Sequence, residues 1–214
     1  MNFPFTSEQF FEVFIRYNTA VWPMQLVFYS LALSTVYTAC NKSKRSSKIA
    51  SGILSFYWIW MGLVYHILFF STINPIAKLF GIFFVMQGLF FLFEGVIRNR
   101  LQFSFESTLR KILGLCFMFF GTVIYPILGY FLGHVYPSSP TFGLPCPTTI
   151  FTFGLLLLTK PSRYIVFIPF IWSIIGFTAA LKLEVYEDIS LLIAGVISSV
   201  VIFHSKKKFI PIHV

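Results

Sequence analysis

Thirteen of the sixteen Lys and Arg residues in this chain stand in four short clusters between long apolar runs: Lys42/Lys44/Arg45/Lys48, Arg98/Arg100/Arg110/Lys111, Lys160/Arg163 and Lys206/Lys207/Lys208. The other loops carry almost no basic charge. Loops rich in Lys and Arg stay cytoplasmic during insertion, and apolar runs of about 20 residues cross a bilayer as helices. The pattern predicts an all-α integral membrane bundle and assigns a side to every loop.

Composition excludes the main competing class. With 57% hydrophobic residues, 29 Phe and 11% charge, a soluble fold would have too few charged side chains to cover its core. The net charge of +9 would suggest nucleic acid in a soluble chain. Here orientation, together with attraction to anionic cytoplasmic headgroups, accounts for it. The bilayer is therefore the expected partner and nucleic acid is not. Three cysteines are an odd number and exclude a complete disulfide framework. The first twenty residues hold Glu8, Glu12 and only Arg16 as a basic side chain, so no cleavable signal is expected.

Seven transmembrane helices are predicted near 19–40, 49–71, 77–97, 111–132, 147–160, 163–181 and 188–204, with the N-terminus outside and the C-terminus inside. All four basic clusters then lie inside. Arg16, Lys78, Lys182, Glu8, Glu12, Glu184, Glu187 and Asp188 lie outside. Dropping the short fifth span would place Lys206, Lys207 and Lys208 on the wrong side. Ahead of the first span, Thr6-Ser7-Glu8-Gln9 fits a capping box. Phe10, Phe14 and Tyr17 then recur at i, i+4 and i+7, opposite Glu8, Glu12 and Arg16. This predicts an amphipathic helix over 6–18 in the outer interface, serving as a lid over an outward-facing site or as an anchor. Trp22, Trp58, Trp60 and Trp172 fall in or near span ends, as in an aromatic belt, with Trp58 and Trp60 somewhat deeper.

Residues 22–35 can be set against 146–159. With a shift taken up by the loop at 41–50, Trp58 meets Trp172, Gly62 meets Gly176, Asn74 meets Asp188 and Gly81 meets Gly195. Read as a parallel repeat, spans 1–3 and 5–7 would be copies joined by span 4. Sugar and PQ-loop carriers share this layout, although their Pro-Gln dipeptide is missing, since the first span reads Trp22-Pro23-Met24-Gln25. Parallel repeats often hold substrate between the halves.

The stretch 133–154 is crowded with Pro and Gly and precedes a helical run of only about 14 residues, roughly 21 Å at the helical rise. A short, Pro-interrupted span points to a binding site, because irregular backbone at membrane depth must be buried in protein or line a watery cavity. The alternative is a structured outer loop with Pro147 at a helix start. His66, Asn74, His134 and Cys146 share that depth, with Tyr65 and Tyr136. Two imidazoles and a thiol also make His66, His134 and Cys146 weak candidates for a metal or haem site, with no tight ligand spacing behind them. Glu94 is the carboxylate inside a span and Gln87 shares its face. Such a group is a site hypothesis by default, against a local ion pair with Arg98 at i+4. Cys40 and Cys116 read as small apolar residues. Serine-nucleophile, Walker and dinucleotide motifs are absent.

Three stretches, FTSEQFFEVFIRYNTAVWPMQ (5–25), MGLVYHILFFSTINPIAKLFGIFFVMQG (61–88) and TFGLPCPTTIFTFGLLLL (141–158), together with EDISLLIAG (187–195), resemble a bacterial family of multi-pass inner-membrane proteins of unknown function. The resemblance runs nearly end to end. It implies a bacterial cytoplasmic-membrane location and transfers no activity or functional residue.

The leading expectation is a small-molecule or ion carrier. Its site would lie in the outer half between spans 2, 4 and 5, lined by His66, Asn74, His134 and Cys146 and continued inward by Gln87 and Glu94. A metal- or haem-binding membrane enzyme or redox protein is the alternative. A further one is a non-catalytic sensor or assembly partner that uses the basic loops as its contact surface. The sequence names no cofactor.

Overall fold

A computed structural model describes residues 4–41, 43–103 and 107–204. Lys42, Lys206, Lys207, Lys208 and His213 lie outside them. The described chain is helical: α1 (Ser7–Val21), α2 (Met24–Cys40), α3 (Lys44–Thr72), α4 (Ala77–Ile97), α5 (Thr108–Phe131), α6 (Pro145–Leu157), α7 (Arg163–Leu183) and α8 (Tyr186–His204). Five of these, α3, α4, α5, α7 and α8, are long and apolar enough to cross a membrane. The pair α1 and α2, bent by 84° at Trp22-Pro23, adds a sixth if it counts as one span.

The capping box forms as its spacing requires. Thr6 Oγ1 accepts from the Gln9 N–H at 3.3 Å, and Gln9 Oε1 accepts from the Thr6 N–H at 2.9 Å. These two bonds satisfy N–H groups that the first helical turn leaves open. Replacing Thr6 with Ala should weaken α1 by about 1 kcal/mol, read as faster hydrogen exchange over its first turns. Unchanged protection there would mean that tertiary contacts alone hold the helix. The helix runs past the expected 18 to Val21, and the chain turns sharply before α2. The stripe Phe10, Val13, Phe14 and Tyr17 is buried against the bundle.

The fifth predicted span departs most from an ordinary crossing. α6 has 13 residues, and all of them but Cys146 are buried. It runs through the centre of the bundle, with α5 and α8 along its flanks. Close approach to α5 depends on paired glycines. A Cβ at Gly114 would stand 2.7 Å from the Gly154 carbonyl oxygen, and one at Gly154 would stand 2.6 Å from that of Gly114. The helix is short because residues 141–144 replace its first turn. Phe142 and Leu144 are buried, and the Phe142 ring meets Tyr57 and Phe151 edge-on. Gly143, at φ +101°, lies against the face of the Phe28 ring. Only glycine takes that dihedral without strain. Irregular backbone is thus enclosed by protein, as an apolar surrounding demands.

Gly62 and Gly81 bring α3 against α4 in the same way, each with the other's carbonyl oxygen within 2.8 Å of a built Cβ. Their counterparts in the repeat alignment, Gly176 and Gly195, pack on Leu191 and Ser173 at the α7–α8 contact. The neighbouring seams differ. α2 packs along α3, whereas α6 packs along α8 more than along α7.

The described residues of the first three basic clusters gather at one end of the bundle, apart from Arg16, Lys78 and Lys182. Arg98 and Arg100 reach Glu94 at 3.2 and 3.8 Å. The Phe90 ring meets Tyr164, beside Arg163, with centroids 5.4 Å apart. Arg110 donates to the Thr159 carbonyl, next to Lys160. The Ser47 hydroxyl near Lys44, Arg45 and Lys48 accepts from the Phe103 N–H at 3.2 Å. The Asn18, His134 and Glu187 contacts described next lie at the opposite end.

Candidate functional site

Opposite the basic end, the loop from α5 to α6 is tied to α1 by one buried amide. Asn18 Nδ2 donates to the Pro137 and Ser139 carbonyls at 2.7 and 2.8 Å. Its Oδ1 accepts from Thr141 Oγ1 at 2.8 Å. Its backbone carbonyl accepts from Gln25 Nε2 at 3.0 Å and from Tyr136 Oη at 3.3 Å. Tyr17 adds an aromatic hinge, accepting from Trp60 Nε1 at 2.9 Å and meeting the Tyr65 and Phe69 rings edge-on.

Two adjacent carboxylates close this end from below, at the start of α8. Glu187 is fully buried, and its Oε1 lies 2.7 Å from His134 Nδ1. The Phe11 ring covers that imidazole at 4.8 Å. Asp188 accepts from the Tyr125 hydroxyl and from the Cys146 thiol. Both carboxylates, assigned by the sequence to the outer side, are buried within the protein. Carboxylates are costly to bury unless they are paired, and His134, Tyr125 and Cys146 supply the partners.

Between α1, α3, α4, α6, α7 and the start of α8 lies a cavity of about 480 Å³. Phe10 and Phe14 roof it, and Tyr65, Phe70, Phe80 and Trp172 form its walls. Asn74, Cys146, Thr178 and Asp188 supply its polar lining, and no Lys or Arg lines it among the described residues. An aromatic chamber with one acidic corner suits an amphipathic molecule whose head donates hydrogen bonds or carries positive charge.

The family model described as "Family of unknown function (DUF6064)" matches residues 7–210. The chain belongs to DUF6064. The match extends from the start of α1 to beyond α8, so all of the cavity lining except Pro4 and Phe5 falls within the DUF6064 region. No curated protein and no solved structure matches the DUF6064 chain.

The predicted site residues of this DUF6064 member divide into four groups. Asn74 and Cys146 line the cavity. His66 stands behind its wall in the π-helical stretch Met61–Phe69, fully buried, with its ring 4.5 Å from that of Phe84 and 5.1 Å from that of Trp172. Neither of its nitrogens has a hydrogen-bond partner. His134 faces Glu187 instead of the cavity. Gln87 donates to the Ile165 carbonyl at 2.9 Å, and Glu94 makes its i,i+4 pair with Arg98, so neither continues a polar path from the cavity. Among the described residues, no three His, Cys, Asp or Glu side chains form a group able to hold a metal.

Sequence reasoning missed Asp188, Tyr125, Trp172 and Asn18 as site residues. One signal was available for Asp188, since the repeat alignment set it opposite Asn74. Both line the cavity.

Proposed function

We propose that the protein is a multi-pass carrier of the bacterial inner membrane that binds an amphipathic small molecule, with a cationic or hydrogen-bond-donating head, in the cavity beneath α1. Segregation of the basic clusters favours a cytoplasmic basic end and an outward cavity. α1 would be the lid and α6 the seventh, shortened crossing. The observation that carries the reading is the cavity itself, aromatic on most sides and acidic at one corner.

A terminally brominated long-chain alkylamine tests it, because bromine in contact with an indole quenches fluorescence and Trp172 lines the cavity. In nanodiscs the quenching should saturate, and the saturable part should vanish in Trp172→Phe. Asp188→Asn should weaken binding about tenfold, the equivalent of about 1.4 kcal/mol. The matching bromoalkanoate should not saturate. Quenching that rises without limit, equally in wild type and Trp172→Phe, would end the reading. Counterflow of the same amine in proteoliposomes separates carriage from binding alone.

A further inference from the structure

A second hollow adjoins the cavity on the far side of its aromatic wall. Phe80, Trp172 and Ile175 line the cavity and also line this hollow, of about 90 Å³, in the seam between α4 and α7. The outer rim of that hollow is Phe83, Phe167 and Ile171, which are 42%, 63% and 39% exposed. Ile76 and Thr178, also exposed, belong to the rim of the main cavity on the same two helices. The two hollows therefore stand back to back across the Phe80/Trp172/Ile175 wall, whose rings meet at 5.6 Å, with exposed apolar rims along the same side of the bundle.

The seam is built unlike its neighbours. Gly62 and Gly81 close α3 on α4 backbone to backbone, and Gly114 and Gly154 do the same for α5 and α6. α4 and α7 meet through aromatic and branched side chains along a shorter contact. Its lower end is pinned by Gln87 donating to the Ile165 carbonyl and by Phe90 against Tyr164. Above the pin nothing polar crosses it among the described hydrogen bonds. At the junction, the Trp172 indole is buried beside Cys146, which with Asp188 belongs to the polar lining of the main cavity.

We propose that the ligand is a membrane-dissolved amphiphile that enters and leaves sideways through the α4–α7 seam. Its tail lies between Phe83 and the Phe167/Ile171 ridge while its head meets Asp188. This rests on the cavity being the ligand site. The route needs no hydration of the tail, because the seam opens on the apolar belt and the roof of Phe10 and Phe14 can stay closed. Gln87 then acts as the pin that keeps the base of the seam shut.

Plugging the seam is the test. Phe167→Cys and Ile171→Cys, each in a Cys40→Ser/Cys116→Ser background, are coupled to a bulky maleimide, with mass spectrometry confining the adduct to the introduced thiol. Phe131→Cys, on an exposed site outside both hollows, is the control. Stopped-flow quenching by the brominated alkylamine gives both rates. Seam adducts should slow association and dissociation about tenfold each while affinity stays within about threefold, because an obstructed portal changes rates in both directions. The control adduct should change neither. Unchanged rates in the seam adducts, or weaker binding without slower exchange, would overturn lateral access. Failure of the cavity reading looks different, since the unlabelled protein would then show no saturable, Trp172-dependent quenching.

Discussion

Asn18→Leu is expected to release the loop between α5 and α6 and to lower stability by about 3 kcal/mol or more. The side chain is fully buried, and its amide satisfies the Pro137 and Ser139 carbonyls and the Thr141 hydroxyl at once. Leucine has similar volume and no polar atom, so packing is nearly kept while these groups lose their partner. Each buried polar group left unsatisfied costs about 1–3 kcal/mol. The loss should appear as a lower midpoint of unfolding in detergent and as fast hydrogen exchange across 136–144. A midpoint within about 1 kcal/mol of wild type would show that water replaces the amide and that the loop is held by Phe142 and Leu144 instead. Because this loop supplies Pro140 and Leu144 to the cavity wall, ligand affinity should fall in parallel.

The second large effect is expected at His134. His134→Ala removes the group 2.7 Å from Glu187 Oε1, while the other oxygen, Oε2, has no hydrogen-bond partner among the described residues. Removing one member of a buried pair costs about 3–5 kcal/mol, because the other charge is left uncompensated. The imidazole keeps 13% of its surface, which places the expectation at the lower end of that range. Adding Glu187→Gln to His134→Ala should recover part of the loss, since a neutral amide tolerates burial better than a stranded carboxylate. A double-mutant cycle measures this directly. Energies additive to within about 0.5 kcal/mol would mean the two side chains do not act as a pair.

Features governed by neighbours in sequence were legible without coordinates. The capping box, the amphipathic stripe of α1 and the Glu94–Arg98 pair need only helical spacing, and all three form. The unusual character of the fifth span was legible too, because Pro and Gly restrict backbone locally. The solution was not. Whether residues 141–144 turn inward depends on the Phe28 ring and the Asn18 amide, more than a hundred positions away. The site divides the same way. Asn74 and Cys146 were found from their depth along predicted spans, and both line the cavity. Depth carries no information about the angle around a helix, and His66 packs among Phe84 and Trp172 while His134 faces Glu187.

By itself, then, the sequence determined the class of fold, the helical segments and the segregation of charge, because composition and period act through the bilayer thickness and the local backbone. Only the tertiary structure decided which polar groups are buried. Tyr125 and Asp188 are 63 positions apart, and Trp58 reaches Thr152 across 94. In an apolar surrounding a hydrogen-bonding group must find its partner within the protein, and helix rotation and packing choose which one. The same packing joined α4 and α7 above Gln87 only through the Phe80, Phe84 and Trp172 rings, with a hollow on either side that no local pattern records.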